Sequence, residues 1–123
     1  MRGGVVFKAG NQLHFLPALA VQQIGPLPPI TRIPSAPAGL SGVAQSEGEI
    51  VPVIDLREGT QTGEGLLIVC SYMGEPIGVI GAEVVGIGHY EVDPEQPDAI
   101  IVGEKRARPL DLGKLYARMQ TGA

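Results

Sequence analysis

The chain has no tryptophan and a single cysteine, Cys70, and only 4% of its 123 residues are aromatic. One cysteine excludes an internal disulfide and any zinc site built on several thiolates. It fits a reducing compartment, so a cytoplasmic location is expected. Charge is sparse as well: 18% of residues are charged, with 9 cations against 13 acids and a net charge of −4. A chain without a basic field or stacking rings is not built for nucleic acid. Long apolar runs are missing too. The stretch from Phe15 to Val21 is short and interrupted by Pro17. Nothing approaches the ~18 apolar residues that cross a bilayer, so no direct membrane insertion is expected.

Groups that carry chemistry are equally scarce. His14 and His89 are isolated, with no second ligand at metal-binding spacing. Cys70 ends an apolar run, which is the setting of an inert buried thiol. No serine sits in a G-x-S-x-G elbow. Gly86-Ile87-Gly88 lacks the third glycine of a dinucleotide fingerprint, and the residues after it do not read as a helix. Glu47/Glu49 and Asp93/Glu95 are paired carboxylates, but they lie in glycine- or proline-rich stretches that should be solvated. The sequence therefore predicts no enzyme, no cofactor and no metal ligand.

What is abundant points to strands. Hydrophobic residues make up 44% of the chain, and valine plus isoleucine (23) outnumber leucine (11) two to one. Glycine (18) and proline (11) leave little room for long helices. A single all-β domain over residues 1–123 is expected, with three or four flexible residues at its start. Val5-Val6-Phe7, a Gly10-Asn11 turn and Leu13-His14-Phe15-Leu16 read as a hairpin. Residues 25–42 are rich in proline, yet Leu27, Ile30, Ile33 and Leu40 are spaced through them as if for burial. The segment should wrap over the β core. Residues 50–56 form a strong strand whose Pro52 predicts an edge or a bulge. Residues 58–65 read as a polar loop, and 66–70 as a strand buried on both faces. Glycine-broken strands follow, then short strands at 99–102 and 108–111. A helix over about 112–119 is capped by Asp111.

These segments come in a familiar order. Leu16-Pro17, Val21-Gln22-Gln23-Ile24, Pro37-Ala38-Gly39-Leu40-Ser41-Gly42 and Gly48-Glu49-Ile50-Val51-Pro52-Val53-Ile54-Asp55-Leu56-Arg57 are followed by Gly78-Val79-Ile80 and Leu110-Asp111-Leu112-Gly113-Lys114-Leu115. The series resembles the CheW-like domain of bacterial chemotaxis, and of its motifs residues 50–57 are the most specific. The resemblance implies two packed five-stranded β-barrels with a short C-terminal helix. It also implies a non-catalytic adaptor that joins the cytoplasmic tip of a chemoreceptor to the regulatory domain of a CheA-type histidine kinase. On it, Val21, Gln23 and Ile24 are expected on a kinase-type face. Gln45, Glu47, Ile80 and Val84 are expected in a receptor-type groove between the barrels.

Three departures from the family pattern stand out. Gln23 replaces the glutamate of V-x-E-I. Gln45-Ser46-Glu47-Gly48 stands where the family has asparagine-leucine-arginine-glycine, so an arginine has become an acid. Gly81-Ala82-Glu83-Val84 replaces valine-aspartate-x-valine. The scaffold is kept while the recognition positions change, as in a short accessory member of the FrzB-like type with altered kinase or receptor contacts. Two other features are independent of the resemblance. Glycine-rich strands could leave a barrel cavity for a small ligand. Lys105, Arg106 and Arg108, with Lys114 and Arg118 beyond them, form either a solvated terminus or a docking patch for an acidic partner.

Overall fold

A computed structural model describes residues 1–37, 40–56 and 65–120. Ala38-Gly39, Arg57 and most of the polar loop expected over 58–65 lie outside the described residues. Ten strands precede one helix: β1 (Arg2–Ala9), β2 (Gln12–Pro17), β3 (Val21–Pro26), β4 (Gly42–Ser46), β5 (Glu49–Asp55), β6 (Leu66–Tyr72), β7 (Glu75–Ile80), β8 (Glu83–Val92), β9 (Ile100–Val102), β10 (Lys105–Pro109) and α1 (Leu112–Gln120). The strands form two five-stranded units. One is a closed barrel in the order β1-β2-β10-β9-β8, and the other a sheet in the order β3-β6-β7-β5-β4.

The continuous apolar runs are divided by the two-residue period of the strand. Along β6, Ile68 and Cys70 join a central cluster with Phe7, Leu16, Ile54, Ile77, Val79 and Leu115. Leu67 and Val69 face the other way, into a second cluster with Ala44, Val51, Val53 and Ile80. The barrel has its own interior of Val6, Phe15, Ile100 and Ala107. Neighbouring residues such as Val6 and Phe7, or Phe15 and Leu16, thus serve different cores. The central cluster takes side chains from both units and the helix, so it joins them into one body.

Turn chemistry sets the hairpins. Gly10 (φ +62°) and Gly103 (φ +62°) open the two-residue turns after β1 and β9. In two other turns both central residues are left-handed: Glu47-Gly48 (φ +48° and +81°) and Met73-Gly74 (φ +51° and +82°). The helix begins where Asp111 Oδ1 accepts a hydrogen bond from the Lys114 backbone N–H at 2.9 Å, the expected cap.

Several elements differ from the sequence reading. β1 starts at Arg2, whose partner is Tyr90, so the expected flexible lead is already a strand. The final strand begins at Lys105 rather than at 108, because Ala107 is the inward residue between two exposed arginines. Ile33 is 42% exposed, although Leu27 and Ile30 do pack on the second core.

Pro52 lies inside the sheet, not on its edge. Val43, its partner on β4, exchanges both backbone hydrogen bonds with Thr31 on the far side. Val43 and Pro52 therefore face each other as a pair without hydrogen bonds. The nitrogen of Pro52 points toward β7, whose ladder with β5 starts one residue later at Val53. No ladder bond is lost.

The second unit does not close as the first does. The outer edge of β4 is taken by Thr31, from the proline-rich segment. On the opposing side β3 ends at Pro26 and is followed by Pro28 and Pro29, which have no N–H to donate. No backbone ladder joins β3 to β4 among the described residues. A seam remains between these two edges.

Candidate functional site

The seam gathers the polar residues singled out in the sequence. Its geometry depends on a bulge in β3. Val21 pairs with Cys70 and Gln23 with Val69, so Gln22 is the extra residue. In a regular strand, residues three apart face opposite sides. The bulge puts Val21 and Ile24 on the same side, where both pack against the central cluster. Gln23 is left on the opposite side, facing the seam. Its side-chain oxygen accepts a hydrogen bond from the Ser46 hydroxyl on β4 at 3.1 Å.

Two small clefts flank this bond. Gln23, Ser46, Glu47 and Val69 line both. One, of about 200 Å³, extends to Pro26, Pro28 and Gln45. The other, of about 130 Å³, extends to Gln22 and Glu49. Gln45 and its cross-strand partner Ile50 are both exposed, Ile50 by 66%. An amide, a hydroxyl and a carboxylate therefore share the clefts, and the exposed Ile50 pairs with Gln45 beside them.

The structure places the expected site residues in three settings. Val21 and Ile24, expected on a kinase-type face, are half-buried against the central core. Gln23, from the same group, meets Gln45 and Glu47, which were expected in a separate groove. Ile80 is 5% exposed and belongs to the core of the second sheet, so its side chain is not available to a partner. Val84 is half-buried opposite Phe7, beside a second bulge at Val85. Ser46 and Ile50 were missed. Alternation along β4 and β5 around the Glu47-Gly48 turn was the signal that could have found them.

The seam juxtaposes two of the departures from the family pattern. Residue 23, a glutamate in that pattern, is glutamine here, and residue 47, an arginine there, is glutamate. Both line the same clefts. A carboxylate kept at 23 would share this space with Glu47, a like charge. Glutamine at 23 removes that repulsion while its side-chain oxygen still accepts from the Ser46 hydroxyl. The two changes fit each other.

Among the described residues, neither the cysteine nor the buried histidine is activated for catalysis. Burial pushes the Cys70 thiol up to about 12, so it stays protonated at neutral pH. His14 is lowered by burial and stacks on Phe7, with ring centroids 5.4 Å apart. Among the described residues no cluster of three or more His, Cys, Asp or Glu is placed to hold a metal. Val6, Phe15, Ile100 and Ala107, all fully buried, fill the barrel interior where a small ligand would have to sit. No helix among the described residues is long and apolar enough to cross a membrane.

Comparison with known proteins bears on the family and the fold. Residues 3–111 match the CheW-like domain family. Over 88 residues, 68% of the chain, the sequence is 32% identical to the chemotaxis protein CheW of Klebsiella aerogenes. The match spans about half (52%) of that relative's length. In three dimensions the chain resembles the scaffolding protein TtCheW from Thermoanaerobacter tengcongensis. The TM-score is 0.72 at 24% identity, covering 94% of this chain and 93% of that one.

Proposed function

Since the chain belongs to the CheW-like domain family, a family of non-catalytic scaffolds, we propose that it is an adaptor in a bacterial chemosensory complex. It links the cytoplasmic tip of a chemoreceptor to the regulatory domain of a CheA-type histidine kinase, and it works in the cytoplasm beside the receptors. The observation that carries this reading is the seam. With no activated chemical group among the described residues, the scaffold gathers Gln23, Gln45, Ser46 and Glu47 around one cleft, and the exposed Ile50 pairs with Gln45 beside it. Polar groups next to an exposed apolar side chain suit protein recognition. The changes at 23 and 47 retune this surface, and they weaken the kinase contact more than the receptor contact.

Calorimetric titration tests this with three samples: the protein, the kinase regulatory domain from its own gene neighbourhood, and a receptor-tip fragment. The receptor tip is expected to bind. Glu47→Arg is expected to shift affinity for at least one fragment by several-fold while the circular dichroism spectrum is retained. If neither fragment binds folded protein, the adaptor reading fails. If Glu47→Arg leaves both affinities unchanged, the seam is not the contact.

A further inference from the structure

The closed barrel carries a cleft of its own, and it is cationic. β10 runs parallel to β2, but the two pair only at Arg108–His14 and Pro109–Phe15. Upstream, Lys105–Ala107 has no partner on the β2 side, and the strands diverge around the Gly10-Asn11 turn. The opening is about 380 Å³ and is lined by Asn11, Gln12, Leu13, Lys105, Arg106 and Arg108. That volume holds several side chains, far more than a single inorganic ion.

The three cations are not equivalent. Arg106 is committed to the fold. It forms an ion pair with Asp93, a carboxylate only 4% exposed, and its guanidinium lies 3.6 Å from Glu95. Asp93 in turn accepts a hydrogen bond from the Glu95 backbone N–H at 2.9 Å, so the pair ties the loop after β8 to β10. Lys105 and Arg108 are exposed, and neither has an ion-pair partner among the described residues. A chain of net charge −4 thus holds two cations without an ion pair in one cleft, with two amides and a leucine beside them, Arg108 also bordering a neighbouring cleft with Glu95 and Asp98.

We propose that this cleft docks an extended acidic segment of a partner protein. Lys105 and Arg108 receive its carboxylates, the guanidinium in two-point fashion and the ammonium as a point charge. Asn11 and Gln12 offer neutral hydrogen bonds, Leu13 offers apolar contact, and the unpaired edge of β10 offers backbone groups. Arg106 fixes the strand and takes no direct part. This surface lies on the closed barrel, away from the seam, and does not depend on the adaptor reading.

Fluorescence anisotropy with a labelled octaglutamate peptide tests the proposal on the full chain. Saturable binding is expected, weakening several-fold as salt rises from roughly 20 to roughly 200 mM, with octaglutamine not binding. The pair Lys105→Glu/Arg108→Glu should weaken binding by about tenfold or more. The neutral pair Lys105→Gln/Arg108→Gln should fall between it and the parent. Arg32→Glu, on an exposed residue elsewhere, should stay within about twofold, whereas Arg108→Glu alone, the same change in net charge, should not. Unchanged thermal unfolding of each variant shows that folding is intact. Equal losses in these two single variants would mean a diffuse field rather than a site. Displacement of the peptide by inorganic phosphate at matched concentration would mean an anion site without peptide character. Either result, or no binding at all, overturns the proposal.

Discussion

The two five-stranded units solve the edge problem differently. The barrel is built from both ends of the described chain, residues 2–17 and 83–109, and closes on itself. Closure leaves little unpaired edge, although β2 does not pair the stretch of β10 at 105–107. The second unit comes from the continuous middle stretch, residues 21–80, and stays open along β3 and β4. Its seam is spanned by side chains instead, with Ser46 donating to Gln23. Backbone closure constrains every residue of a strand, whereas a side-chain seam can be rewritten one position at a time. The open unit accordingly holds two of the three departures from the family pattern, at 23 and 47, while the third, at 81–84, runs into β8 of the barrel.

The contrast fails if the two units are independent, and core truncation tests that first. Phe15→Ala empties the barrel interior and should cost about 3–5 kcal/mol. Ile80→Ala empties the second core and should cost about 2–5 kcal/mol. Both variants should still unfold in one cooperative transition by urea, because the central cluster draws on both units. A biphasic curve in either variant would show two separable domains. Cys70 lies in that shared cluster, on the inner strand β6. Cys70→Ser puts a hydroxyl where there was a thiol and should lower stability by about 1–3 kcal/mol, again without splitting the transition.

Acid should destabilise the whole fold through groups that sit in the barrel. The Glu95 backbone hydrogen bond, together with Arg106, holds the Asp93 carboxyl below the usual carboxylate range despite its burial. A lowered carboxylate contributes stability above its unfolded value and loses it as pH falls toward the folded one. His14, also lowered, acts the same way from about pH 6.5 downward, because the unfolded chain takes up its proton first. Both residues belong to the barrel or its exit loop. The urea midpoint should therefore fall as the pH drops from 7 to 3. In Asp93→Asn the part of this loss below about pH 4 should shrink. A flat profile in the parent would mean that neither group couples to folding.

Much of this was legible in the residues. The buried run of β6, the first hairpin, the terminal helix and its aspartate cap all follow from local pattern. The long-range choices did not. Pro52 looked like an edge marker because local reasoning cannot see that Val43 turns its hydrogen bonds toward Thr31. Val21 and Ile24 could be seen to share a face, but the bulge at Gln22 that sends Gln23 across to Ser46 is a register shift without a sequence signature. The site was therefore read as two faces when its polar members form one. The cationic cleft was visible as composition alone, because its shape comes from two strands that diverge after two paired residues.

The turn beside the seam gives a smaller test. Glu47 holds a left-handed conformation at the first central position of a two-residue hairpin turn, where asparagine or glycine is favoured. Glu47→Asn should raise stability by roughly 0.5–1 kcal/mol. A loss of stability would mean that the Glu47 side chain makes a contact worth more than the backbone strain it brings.

The smallest effect carries the most information about the seam. If the changes at 23 and 47 compensate each other, restoring one family residue should be unfavourable and restoring both should not. Gln23→Glu alone removes the amide and places a carboxylate near Glu47. Glu47→Arg alone leaves an arginine without its carboxylate. The pair Gln23→Glu/Glu47→Arg puts opposite charges across the seam. Glu47 is exposed and Gln23 half-buried, so solvent screening limits the coupling to about 0.2–1 kcal/mol. A double-mutant cycle on urea stability measures it, and the coupling should shrink in ~1 M salt. Zero coupling at low salt would mean that the two positions changed independently. The seam would then be a loose edge of the open sheet, and the difference between the two units would be one of topology alone.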